Sequence, residues 1–126
     1  MTQRERLTRR LRDAYGAEPE YLWQRYPNSA AFRHPMSGKW FALVMDVPRA
    51  RLGLPGEEIV DVLVVKCDPV MIGALLREPG FLPAYHMSKR QWVSVLLDGS
   101  VPDERVIPLL DMSYAAVAPK KRHSAR

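Results

Sequence analysis

The stretch EIVDVLVVKC, residues 58–67, constrains this chain more than any other. Apart from Asp61, everything from Ile59 to Val65 is apolar, and most of it is β-branched. β-Branched side chains are stiff at χ1 and pack well on a pleated surface, so the run reads as a strand. A strand with one face in water alternates apolar and polar residues, and this one does not. It is therefore expected at the centre of a sheet, covered on both faces. That cover admits helices on both sides of the sheet or a second copy of the chain.

The flanking segments supply the rest of an α+β pattern. KWFALVMDV, residues 39–47, and WVSVLLD, residues 92–98, are two further strong strands, the second ending at the Asp98-Gly99 turn. Shorter β-like runs lie at Tyr21–Gln24 and Ala30–Arg33, separated by a Pro27-Asn28 turn. Thr2 with Glu5 forms a capping-box pattern ahead of Leu7, Leu11, Ala14 and Tyr15 at helical spacing, and Gly16 supplies the stop. Asp68-Pro69 starts a second helix, with Val70, Ile72, Ala74, Leu75 and Leu76 as its buried side. Ser100 with Asp103 resembles another capping box, opening a terminal helix marked by Val106, Ile107, Leu110, Tyr114 and Val117.

Short turns between successive strands favour antiparallel pairing, because parallel neighbours need a long crossover. The expectation is one compact α+β domain over residues 1–118. Its order is helix–strands–helix–strand–helix, with an antiparallel sheet and helices packed mainly on one side. A disordered basic tail, residues 119–126, completes the expected chain.

Charge and cysteine content narrow the function classes. The net charge is +5, yet the final KKRHSAR holds four of the 19 Lys and Arg, leaving 15 basic against 14 acidic residues in the body. Arg4, Arg6, Arg9, Arg10 and Arg12 crowd the first helix, but Glu5, Arg9 and Asp13 recur at spacings of four, the pattern of a solvated, salt-bridged face. A single cysteine, Cys67, excludes an internal disulfide and suits a reducing cytoplasm. No apolar run approaches a membrane span or a signal-peptide core, so no membrane partner is expected.

Catalytic signatures are absent: there is no glycine-rich phosphate loop, nucleophile elbow or paired-histidine helix. His34, His86 and His123 are scattered, and with one cysteine they offer no zinc spacing, so no metal or cofactor is expected. Cys67 ahead of a helix start, with His86 as base, is a conceivable nucleophile pair. The alternative is a small apolar residue closing a buried strand, and we favour it. The carboxylates Asp46, Asp61 and Asp68 sit at a strand end, a strand face and a cap, and no acid–base pair stands out.

PAYHMSKRQW, residues 83–92, concentrates the remaining chemistry. Leu82-Pro83 holds the chain extended. Ser88 with Gln91 three positions later fits a capping-box turn, which would set Lys89 and Arg90 beside outward backbone N–H groups and suit an anion. Tyr85, His86 and Trp92 could stack on a base or line a small pocket. Tyr85 and Trp92 as core aromatics, with Lys89 and Arg90 facing water, is the plainer reading of the same residues.

KWFALVMDV, VKCDP, PGFLPAYHMSKRQWVSVLLDGSVPDE and LLDMSYAAV together resemble the MmcQ/YjbR family of small bacterial proteins. The strongest element is Pro83-Ala84-Tyr85-His86-Met87-Ser88-Lys89 with Trp92 beyond it, where the family form has Asn in place of Ser88. Both are good N-caps. The resemblance implies a compact α+β domain with an antiparallel sheet. Through the family's usual label it also implies DNA binding, and it brings no catalytic residues. Three functional readings result. The first, to which composition and resemblance both lean, is a non-enzymatic nucleic-acid-binding domain using Tyr85, His86, Ser88, Lys89, Arg90, Trp92 and Lys39, with DNA as partner. The second is a domain binding a small anionic ligand or a protein at a pocket around Tyr85–Trp92. The third is an enzyme using His86 or Cys67.

Overall fold

A computed structural model of the chain describes residues 1–120. Helix α1 (Gln3–Tyr15) leads into the short edge strand β1 (Ala30–Arg33), then β2 (Trp40–Pro48) and a 3-10 turn at Arg49–Leu52. The chain continues through β3 (Ile59–Lys66), α2 (Pro69–Leu75), β4 (Phe81–Pro83), β5 (Trp92–Leu96) and α3 (Asp103–Ala116). The five strands form one sheet in the order β1-β2-β3-β5-β4, and every neighbouring pair is antiparallel. β3 is the central strand, and Val62 to Val65 are completely buried.

Both faces of that strand are covered, by different means. Leu63 and Val65 face a core built with Leu7 and Leu11 of α1, Ile72 and Leu75 of α2, and Val106 and Leu110 of α3. Val62 and Val64 face a second core with Leu43, Met45, Ala84 and Trp92, against which Trp23, Leu52, Leu54 and Tyr85 pack. All three helices therefore lie on one face. The other face is roofed by three irregular segments of the same chain rather than by helices.

The local capping signals fared unequally. Thr2 and Glu5 form the reciprocal capping box, Gly16 ends α1 in the left-handed region at φ 64°, and the Asp68 carboxylate accepts from the N–H groups of Val70 and Met71. Ser100, by contrast, donates to the Asp98 carboxylate at 2.5 Å, and α3 starts at Pro102 with no side-chain cap. Asp103 is drawn instead to Arg6 and Gln3 of α1. The expected strand at Tyr21–Gln24 does not form. Only Glu20 bridges Ala31, after which the chain turns at Trp23–Tyr26. On α2 only Ile72 and Leu75 are buried, while Val70 is 85% exposed and Ala74 and Leu76 face outward. A helix of seven residues presents the i, i+3 pair Ile72 and Leu75 to the core, with half-buried Met71 beside it.

One irregularity sets the shape of the face away from the helices. Phe32 pairs with Ala42, but Arg33 pairs with Trp40, leaving Phe41 as the extra residue of a β-bulge between β1 and β2. Phe41 and Ala42 both enter the helix-side core, and Trp40, one position earlier, is turned to the opposite face with Leu43. The bulge is closed by α3: the buried Ser113 hydroxyl accepts from the Lys66 N–H at 2.9 Å and donates to the Phe41 carbonyl at 2.5 Å.

Candidate ligand pocket

The loop-covered face of the sheet contains a concavity of about 500 Å³. Its floor is β2, where strand alternation points Leu43 and Met45 away from the helix side and the bulge adds Trp40. One wall comes from the turn between α1 and β1, carrying Trp23, Tyr26 and Ser29. The facing wall is Tyr85, His86 and Met87, from the link between β4 and β5. Arg51, on the 3-10 turn after β2, closes one end beside Pro48.

Ring geometry ties the walls together. Trp23 meets Trp40 edge-on at 5.8 Å between centroids. Tyr26 and His86 approach to 6.3 Å from segments far apart in the chain, and His86 lies 4.1 Å from Tyr85. The Tyr85 N–H donates to the hydroxyl of buried Ser94 on β5 at 3.0 Å, which pins the start of this wall to the sheet. His86 has φ 60°, the one non-glycine residue at positive φ among the described residues. An L-residue in that region costs about 1–2 kcal/mol, and such strain collects at functional sites.

The electrostatics are simple. Arg51 shares the lining with Tyr85 and Tyr26, whose hydroxyls hold its pKa above the ordinary value. Among the described residues no carboxylate comes within ion-pair distance of Arg51. Asp46 borders the same concavity, but its side chain belongs to the helix face, where the Asn28 amide donates to it at 3.4 Å. The pocket is thus mostly aromatic and aliphatic with a cation at its edge, in the size range of small-molecule sites.

Of the residues singled out in the sequence, the fold brings Tyr85 and His86 into this lining. Trp92 is 8% exposed and belongs to the second core beneath. Ser88 closes the next turn through its carbonyl, which accepts from the N–H groups of Gln91 and Trp92. Lys89 and Arg90 are exposed in that turn, and Lys39 is exposed just ahead of β2. The register places Lys39, Lys66 and the Lys89-Arg90 pair at one common end of the sheet, outside the pocket lining. Three of the α1 arginines are engaged elsewhere: Arg4 with Asp61 at 3.0 Å, Arg6 with Asp103 at 2.8 Å and Arg12 with Glu18 at 3.3 Å. The basic tail lies, from residue 121 onward, outside the described residues.

The alternative chemistries are not assembled. Cys67 is buried, and burial, aided by the neighbouring Asp68 charge, raises its thiol pKa. Its surroundings are Lys66, Asp68, Pro69, Gln91, Met112 and Ala116, whereas His86 lines the other concavity. His34 is a buried structural histidine, stacked on Tyr114 at 4.1 Å with Nδ1 accepting the Met36 N–H. No three His, Cys, Asp or Glu residues converge as a metal site among the described residues. No described helix is long and apolar enough to cross a membrane.

Trp23, Tyr26, Trp40 and Arg51 were not legible as site residues. The one available signal was aromatic density, YLWQRY at 21–26, in a segment flanked by Pro19 and Pro27. Such rings, when they are not strand residues, need some other surface to cover.

The YjbR family profile matches residues 12–116. An uncharacterised Bacillus subtilis protein, YyaQ, is 36% identical over 114 residues, covering 90% of this chain and 97% of its own. A crystal structure of a Pseudomonas syringae protein superimposes with a TM-score of 0.89 at 35% identity, covering 91% of this chain and 98% of that one. A Deinococcus radiodurans protein shares the fold at a TM-score of 0.71 and 24% identity, over 95% of this chain and 81% of its own. With the profile spanning most of the domain and relatives of this identity matched nearly end to end, the chain belongs to the YjbR family.

Proposed function

We propose that this protein is a non-enzymatic binding domain for a small ligand, held in the pocket between Trp23, Tyr26, Trp40, Tyr85 and His86. The observation that carries this reading is the convergence of five aromatic or heteroaromatic rings, from three separate segments, on a concavity of about 500 Å³. The ring surface that borders the open volume lacks packed neighbours, and a ligand supplies them. The strained backbone at His86, a residue of the lining, supports the same reading. A reducing cytoplasm suits the buried, unpaired Cys67.

The test is a thermal-shift screen of planar and non-planar small molecules against the wild-type protein and Tyr26→Ala. Hits that stabilise the first and not the second support the reading. A screen in which every hit stabilises both equally overturns it.

Nucleic-acid binding rests on a different surface, the sheet end where Lys39, Lys66, Lys89 and Arg90 gather. Anisotropy of labelled duplex and single-stranded DNA across a salt series tests it, using the full chain, a version ending at Pro119 and a Lys89→Ala/Arg90→Ala variant. Binding that survives truncation, weakens with salt and fails in the folded double variant favours this reading. Binding lost with the tail alone removes it from the domain.

A further inference from the structure

Resting on the pocket reading above, we infer that the ligand is a planar aromatic anion, its ring held among the aromatic walls and its carboxylate or phosphate held by Arg51. Arg51 is the feature that turns a general apolar pocket into a selective one. It borders the concavity, whose lining also includes Tyr26 and Tyr85. No carboxylate lies within ion-pair distance of it among the described residues, unlike Arg4, Arg6, Arg12, Arg33 and Arg105.

The two tyrosines also orient the site. Tyr26 and Tyr85 share the lining with Arg51, so two hydroxyls and a guanidinium supply donors to one aromatic slot. Donors of this kind complement an oxyanion, and a guanidinium fork matches both carboxylate and phosphate. The one carboxylate bordering the concavity, Asp46, sits at a β2 position that alternates to the helix face and accepts from the Asn28 amide there. Trp23 and Trp40, edge-on to each other, and His86 beside Tyr85 offer ring surfaces in the same lining. Flat rings stack on such surfaces at small entropic cost, whereas branched aliphatic groups do not match their shape.

The experiment compares two probes with the same rings: 8-anilinonaphthalene-1-sulfonate, an anion, and N-phenyl-1-naphthylamine, its uncharged counterpart. Both are titrated fluorimetrically against wild-type protein, Arg51→Gln, Arg51→Lys, His86→Gly and Tyr26→Ala, with thermal melts confirming that each variant is folded. The wild type is expected to prefer the anion by about tenfold, the size of one charge-assisted contact. Arg51→Gln is expected to weaken the anionic probe far more than the uncharged one and so abolish that preference, and Arg51→Lys to retain part of it. His86→Gly weakens both probes. Displacement of the anionic probe by 1-naphthoate or by adenosine 5′-monophosphate then separates a carboxylate from a phosphate, and displacement by neither overturns the inference. Equal binding of the two probes in wild type and Arg51→Gln also overturns it, and leaves the pocket reading intact. Binding of both probes that is indifferent to His86→Gly and to Tyr26→Ala overturns the pocket reading itself.

Discussion

The Ser113 hydroxyl donates to the carbonyl of Phe41 at 2.5 Å while accepting the Lys66 N–H at 2.9 Å. The β2–β3 ladder stops one step short of these residues, at Ala42 and Val65, and Phe41 is the bulged residue opposite β1. A single buried side chain from α3 satisfies the donor and the acceptor together. The bulge it closes is also what turns Trp40 away from the helix-side core and into the pocket floor. Helix packing on one face of the sheet thereby sets the shape of the site on the other.

Ser113→Ala takes that partner away from both the Lys66 N–H and the Phe41 carbonyl. The expected cost is about 1–3 kcal/mol, read from urea denaturation. Near-UV circular dichroism is expected to change as well, because Trp40 loses its fixed orientation. A variant with full stability and an unchanged aromatic spectrum would show that the bulge holds itself.

Asp46 and Asp61 are directly opposed on β2 and β3, a like-charge pair on the helix face of the sheet. Arg4 offsets the repulsion by pairing with Asp61 and donating to the Asn28 carbonyl, and Asn28 in turn donates to Asp46. Arg4→Met is expected to destabilise the fold by about 1 kcal/mol at low salt, less at high salt. Adding Asp46→Asn to that variant should recover part of the loss, because it removes one of the repelling charges. Chemical denaturation of the four members of this double-mutant cycle reads the coupling; strictly additive effects would dismiss it.

Positive φ at His86 makes the choice of replacement informative. His86→Gly relieves the strain, while His86→Ala keeps a Cβ in the same conformation. We expect the glycine variant to exceed the alanine variant in stability by about 1 kcal/mol, although glycine lowers stability at most positions. Melting temperatures of the pair decide it, and the reverse order would mean that the loop relaxes out of the left-handed region.

Acid should loosen the junction between α1 and α3. The Arg6 guanidinium, hydrogen-bonded to Asp103 with further help from Gln3, holds that carboxyl below its ordinary value of 3.8. A carboxyl with a depressed folded pKa contributes stability that is present above its unfolded pKa and lost as pH falls through the folded one. Stability is therefore expected to decline from pH about 4 downward, and Asp103→Asn to flatten that part of the profile. Thermal melts from neutral pH down to strongly acidic buffer make the comparison; an identical acid slope in both proteins would exclude Asp103 as a contributor.

What the sequence determined by itself were the features that depend on near neighbours. Continuous apolarity from Val62 to Val65 marked a doubly covered strand, and it is the central one. Thr2 with Glu5, Gly16, and Asp68 with Pro69 marked helix ends, because a cap acts within a single turn of its own backbone. Ser100 with Asp103 carried the same local signal and failed, since Arg6 and Gln3 bring a stronger charged and amide pairing from the far end of the chain.

Tyr85 and His86 stood out for their composition, and they do reach the pocket lining. Their counterparts Trp23, Tyr26, Trp40 and Arg51 gave no comparable signal, because what they share is a place above β2 and not a spacing along the chain. Only the tertiary structure decided which face of the sheet the helices would cover. Only there did a bulge invert Trp40, an outcome that strict alternation cannot express. It rests on a hydroxyl from the last helix meeting a carbonyl 72 residues earlier.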